Sequence, residues 1–205
     1  MEKKGSGPLS TLIKGIDYAT SYANQIEVAN LSFGCECKST ALDTAINNSV
    51  KAGIAFVISV GSSAKDARTF PPTNKLNVLA VSAIGNLMEN VVLKDSTGYG
   101  NDDTLDRFSN YGSVIDLATP SAKIYSTYKR NTYATMSGTS MATPHIAGAA
   151  ALYLSSQPGD SPTTVRNALL NGGSTSVTSC DGNGHGYFTG NKDQFKEPLF
   201  YAKNN

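Results

Sequence analysis

The chain has 205 residues, enough for one domain with a well-buried core and a tight fit for two. Hydrophobic residues make up 40% and aromatic residues 8%, a globular rather than a disordered composition. A net charge of +1, from 17 basic and 16 acidic residues, offers no footprint for nucleic acid or an anionic membrane, and no apolar stretch approaches the ~20 residues of a membrane helix.

The N-terminal MEKKGSGPLS carries charge with no apolar run behind it, so it is not read as a signal peptide; a signal for export would lie outside this chain. Leu9, Leu12, Ile13, Ile16, Ala19 and Ala23 then recur at helical spacing and predict an amphipathic helix over 9–23. Glu27 to Phe33 (EVANLSF) is a short apolar run ending at Gly34, the pattern of a buried strand. Ser39 caps a second predicted helix that Gly53 closes.

The run IAFVISVG (54–61) is continuously apolar and β-branched, as a strand covered on both faces would be. NVLAVSAIG (77–85) repeats the pattern, and VIDLATP (114–120) repeats it more weakly. Between them, Leu87 to Asp106 turns polar and rich in Gly and Asp, which predicts a surface excursion. A helix follows from Ser140, and Ser161 with Pro162 starts another. Helices alternating with buried strands predict a parallel α/β sheet in a single domain, with function collected at the carboxyl ends of the strands. Those ends are Ser32 to Gly34, Val60 to Ser63 and the loop before Ser140.

Three cysteines, Cys35, Cys37 and Cys180, match no zinc-finger spacing, and their odd number leaves a free thiol or a partner outside the chain.

The stretch SGTSMATPHIAGAAAL (137–152) places Ser140 at a helix start, in the positive field of the helix N-terminus. An isolated serine there is most often an N-cap. His145 lies five positions on, roughly 140° around the helix and about 7.5 Å along it, so the two side chains do not share a face. His145 is therefore expected to be structural, packed on the far side of the helix. Pro144 is read as a first-turn proline. The second histidine, His185, sits in a Gly-rich loop four residues after Asp181, which leaves an esterase-like serine hydrolase as a minor alternative.

The run G-T-S-M-A-T-P-H-x-A-G, Gly138 to Gly148, resembles the nucleophile signature of the subtilisin-like serine proteases, the subtilases. The resemblance spreads over most of the chain. VANLSFG is similar to the family's substrate-binding strand, VKAGIAFVISVG to the strand leading into its oxyanion loop, and Phe108 to Tyr128 to the segment before the nucleophile.

The resemblance implies a three-layer α/β sandwich with a mostly parallel central sheet. It implies endoproteolysis of a polypeptide substrate through an acyl-enzyme on Ser140. Ser32, Phe33 and Gly34 would pair with the extended peptide. The family's triad runs Asp, His, Ser, so its D-[ST]-G and H-G-T-H motifs are expected before residue 1; neither occurs in the 205 residues. The domain is thus expected to be N-terminally incomplete, with little activity alone.

Ser62 occupies the position of the family's oxyanion Asn, and Ser121 stands where the family has Gly. Removing that Asn from subtilisin costs about 10²–10³ in turnover. A non-catalytic peptide-binding relative is the competing reading. No cofactor is implied, though a structural Ca²⁺ near Asn101 to Asp106 is one that many family members carry. The spacing there fits no recognised loop, which favours an ordinary solvated surface loop. By the same resemblance the protein would be extracellular.

Overall fold

The computed structural model describes residues 7–33, 38–72, 77–85, 104–175 and 188–200. In chain order the elements are α1 (Leu9–Ser21), β1 (Val28–Leu31), α2 (Thr40–Lys51), β2 (Ala55–Ser59), β3 (Leu79–Gly85), β4 (Thr104–Leu105), β5 (Leu117–Pro120), β6 (Ile124–Tyr128), β7 (Thr132–Met136), α3 (Thr139–Ser156) and α4 (Pro162–Asn171). Gly34, the three cysteines, His185 and residues 101–103 lie outside the described residues.

The sheet is parallel from β1 through β2 and β3 to β5, with Val28 opposite Ala55, Val57 opposite Leu79 and Val81 opposite Leu117. Among the described strands of this sheet only β4 runs antiparallel, against the carboxyl end of β3. Every residue of β2 and β3 is buried, which is why their sequences are apolar without alternation. Successive side chains still point to opposite faces. Ala55, Val57, Leu79, Val81 and Leu117 meet Ala142, Ile146, Ala150 and Leu154 of α3 and Val165 and Leu169 of α4. Phe56 and Ile58 meet Ile16 of α1 and Leu42, Ala45 and Ile46 of α2. This is the expected α/β fold, three layers around a mostly parallel sheet.

The helix boundaries follow local chemistry. Ser39 Oγ accepts from Leu42 N at 3.2 Å and Ser161 Oγ from Thr164 N at 3.1 Å, with Pro162 at the first helical position. Along α3, Ala142, Ile146 and Ala150 repeat every four residues; the two alanines let the helix lie close to the sheet, and Ile146 fills the space between them.

Two regions differ from the sequence expectation. The polar stretch expected to be a surface excursion ends in β4, and Leu105 and Asp106 are buried. Asp106 accepts a hydrogen bond from Ser121 Oγ, so this carboxylate is part of the interior rather than of a solvated loop. The segment 188–200 straps the sheet through isolated bridges at Thr189 and Leu199. It also buries Glu197, whose carboxylate accepts from Ser82 Oγ at 2.6 Å and Asn191 Nδ2 at 3.3 Å. Burial raises the pKa of Glu197 against the opposing pull of these hydrogen bonds.

Among the described residues β1 pairs with β2 alone. Along its other side runs a mostly apolar cavity of about 650 Å³, lined by Leu12, Ile16 and Ala19 of α1 and by Ala29, Leu31 and Phe33.

Candidate active site

The chain reaches Ser140 from β7 through Ser137 and Gly138. Gly138 has φ +148°, a conformation that side chains rarely adopt, and its N–H donates to Ser121 O at 3.2 Å. That turn sets the N-terminus of α3 beside the carboxyl ends of β1 and β2. Ser140, in the first turn and half-buried, has Oγ 3.5 Å from Ser32 O at the end of β1. In return Ser32 Oγ donates to Ser140 O at 2.9 Å, and Asn30 Nδ2 donates to Ser32 Oγ at 3.0 Å.

Pro144 explains this latch. It lies inside α3 rather than at its first position, and a proline has no N–H for the carbonyl four residues back, which is that of Ser140. Ser32 supplies the missing donor. The first-turn placement expected for Pro144 is thereby corrected.

Ser62 is brought to the same helix terminus. Its Oγ accepts from Thr139 N at 3.2 Å and shares a hydrogen bond with Thr139 Oγ1 at 3.1 Å. The side chain is solvent-exposed, and its hydroxyl is hydrogen-bonded to Thr139, the residue before Ser140. The Ser140 N–H is among the amides that a helix start leaves without an intrahelical acceptor.

Sequence reasoning missed what holds Ser62 in place. Asn110 is fully buried and spends its side chain on the 60–65 loop. Its Nδ2 donates to Val60 O at 2.7 Å, and its Oδ1 accepts from Ser63 N at 3.1 Å and Lys65 N at 2.9 Å. Gly61, at φ +96°, passes so close that a Cβ there would stand 2.6 Å from Asn110 Nδ2. The signal available in the sequence was a lone Asn in FSNYG, which no spacing rule flags.

Ser121, which stands where the family has Gly, is buried and ties three segments together. Its N–H and Oγ both meet Ile84 O at 3.1 Å, its Oγ also donates to Asp106, and its carbonyl accepts from Gly138. Phe33 is half-buried with its ring against the α1–α2 cluster, and Gly34 is outside the described residues.

His145 does not bond Ser140, in keeping with the helical spacing; Nδ1 lies 3.0 Å from Met141 O and 3.3 Å from Ala142 O. It is not packed on a far side, however. It is exposed and lines, with Ser140, Met141 and Pro144, a groove of about 360 Å³ facing the β6–β7 hairpin. That hairpin was also missed, although IYSTY and TYATM flank a short polar turn. Among the described residues no group of three or more His, Cys, Asp or Glu side chains could hold a metal ion.

These features define a parallel α/β protein that seats a reachable serine hydroxyl in the first turn of a central helix, with a second hydroxyl loop at the same terminus. The Subtilase family model matches residues 1–187, and the chain belongs to that family of serine proteases. It is 39% identical over 169 residues to the Thermophilic serine proteinase of Bacillus sp. (strain AK1), covering 82% of this chain and 37% of the relative. It is 38% identical over 172 residues to the Extracellular serine proteinase of Thermus sp. (strain Rt41A), covering 83% of this chain and 38% of the relative. The chain therefore spans well under half the length of these relatives. Among solved structures, a cold adapted subtilisin-like serine proteinase superposes with a TM-score of 0.76 at 32% identity, over 98% of this chain and 64% of that one.

Proposed function

We propose that this chain carries the nucleophile and part of the substrate groove of a serine endopeptidase. The observation that supports it most is the position of Ser140 Oγ, in the first turn of α3 and beside Ser32 O at the end of β1. In this reading Oγ attacks the carbonyl carbon of a peptide bond while its proton passes to a base. The C–N bond then breaks, the amine leaves with that proton, and water hydrolyses the acyl-enzyme. The oxyanion accepts from the Ser140 N–H, with the helix N-terminus adding its field. Ser62 becomes a second donor when Thr139 Oγ1 supplies the proton of their shared hydrogen bond, which leaves the Ser62 O–H free. The extended peptide lies along the backbone of Ser32, Phe33 and Gly34.

The base and its orienting carboxylate are assigned to the family's H-G-T-H and D-[ST]-G motifs, which this sequence does not contain. Neither His145 nor His185 is given the role. Without those groups only residual catalysis is expected from this chain alone. No cofactor enters the reaction as written. An extracellular setting is proposed from the relative named as an extracellular proteinase.

A second reading, a non-catalytic module that binds peptides, draws on one observation: at the family's oxyanion position Ser62 caps Thr139 with its hydroxyl in place of an amide donor. A fluorophosphonate probe distinguishes the readings. Slow labelling confined to Ser140 and abolished by Ser140→Ala is expected of the protease reading. No labelling of Ser140 under prolonged excess reagent would favour the binding module. Rapid stoichiometric labelling would overturn the expectation of little activity alone.

A further inference from the structure

Among the described residues, the groove that Ser140 shares with the β6–β7 hairpin ends at two cations without a carboxylate partner. β6 and β7 pair from Ile124 opposite Met136 to Tyr128 opposite Thr132. Opposed side chains share a face, so Ile124, Ser126, Tyr128, Ala134 and Met136 point together toward Met141 and Pro144 of α3 and line the groove. On the other face Tyr125 and Tyr133 stack with ring centroids 5.3 Å apart, which stiffens an otherwise exposed ribbon.

At the far end, Lys129 Nζ lies 5.4 Å from the centre of the Tyr128 ring, and Arg130 follows at the turn with φ +60°. Among the described residues neither cation has a carboxylate partner, whereas Arg68 is paired with Asp66 and Arg166 with Asp116. The sequence accounts for the difference. Between Asp116 and Asp160 there is no Asp or Glu, while Lys123, Lys129, Arg130 and His145 all fall in that interval. In a chain that is nearly neutral overall, the turn of the hairpin beside the Ser140 groove thus carries two adjacent cations with no acid near them in sequence.

We infer that this groove receives the part of a polypeptide substrate that follows the cleaved bond, and that Lys129 and Arg130 select acidic side chains in it. The direction rests on the proposed hydrolytic reading. The residues before the bond run along Ser32 and Phe33, so the leaving segment takes the opposite side of Ser140. From Met136, beside Ser140, to Thr132 at the turn is four residues, about 14 Å at about 3.4 Å per residue. An extended substrate covers that distance by its third or fourth residue past the bond. The near residues meet Met136, Met141 and Pro144, and the later ones meet the cations.

The test is a binding measurement, so it does not depend on turnover. Fluorescein-labelled decapeptides of Ala and Leu, carrying two adjacent Glu, Gln or Lys residues near the carboxyl end, are titrated with the whole chain as Ser140→Ala and followed by anisotropy. The Glu peptide is expected to bind about three- to tenfold more tightly than the Gln peptide at low salt, an advantage lost at high ionic strength. K129E/R130E should remove that preference and favour the Lys peptide. Equal affinity for Glu and Gln peptides, no measurable binding of either, or a Glu preference that survives K129E/R130E would each overturn the inference. Failure of the hydrolytic reading would instead appear as absent labelling of Ser140 with the peptide preference intact.

Discussion

Ser32 Oγ donates to the carbonyl of Ser140 at 2.9 Å, filling the place of the N–H that Pro144 lacks. The end of β1 and the start of the central helix are thus joined across 108 residues of sequence. Ser32→Ala should cost about 1–3 kcal/mol, because it leaves a half-buried acceptor unpaired. Pro144→Ala restores the local N–H and should make Ser32 largely redundant. In a double-mutant cycle by denaturant unfolding, the cost of Ser32→Ala is expected to shrink in the Pro144→Ala background. Strictly additive costs would show that the two residues do not serve one carbonyl.

Ser62 caps the helix terminus with a short hydroxyl where the family carries an amide. Ser62→Ala should cost about 1 kcal/mol, the usual value of a lost N-terminal cap, since Thr139 N loses its acceptor. Ser62→Asn returns an amide donor to the loop. Since loss of such a donor costs about 10²–10³ in turnover, fluorophosphonate labelling of Ser140 should accelerate by at least about tenfold. An unchanged labelling rate would remove position 62 from the oxyanion site.

The loop carrying Ser62 depends on Asn110. Asn110→Ala strands Val60 O, Ser63 N and Lys65 N and should destabilise the fold by about 2–4 kcal/mol. Gly61→Ala should be comparably damaging, because its added methyl meets the Asn110 amide at 2.6 Å in a backbone region that disfavours side chains. Unfolding midpoints of the two variants provide the check, and near-wild-type values for either would dismiss the clamp.

Glu197 sets a pH dependence of defined sign. Burial raises its pKa in the folded state above the ordinary glutamate value, so the native state holds this proton more tightly than the unfolded chain does. Between the unfolded and the folded pKa, stability therefore falls as pH rises; below both, the favourable contribution is fully present. Glu197→Gln, which keeps the shape and a carbonyl acceptor for Ser82, should lose less stability than the wild type between pH 4 and pH 7 when pH is scanned from about the ordinary glutamate range upward. Parallel stability–pH curves for the two proteins would contradict this.

His145→Ala should leave labelling of Ser140 unchanged and shift stability by no more than about 0.5 kcal/mol, because the side chain is exposed and bonds only carbonyls of its own helix. A marked fall in labelling would restore His145 as the base.

The sequence by itself determined the elements whose cause is local. Unbroken apolar runs became β2 and β3, Ser39 and Ser161 became caps, and five-residue spacing separated His145 from the Ser140 hydroxyl. The long run around Ser140 also carried its family in the residues themselves. Tertiary structure alone decided the rest, because the partners are far apart in sequence and chemically ordinary. Nothing near Asn110 announces that its amide templates a loop fifty residues earlier. Ser121 and Asp106 read as loop residues until the sheet buries them together. The hairpin strands alternate too weakly to stand out, and only their packing against α3 makes a groove beside Ser140 with Lys129 and Arg130 at the turn beyond it. Periodicity reports how a segment meets its own solvent boundary; which distant group completes a hydrogen bond or a field is settled only when the chain closes on itself.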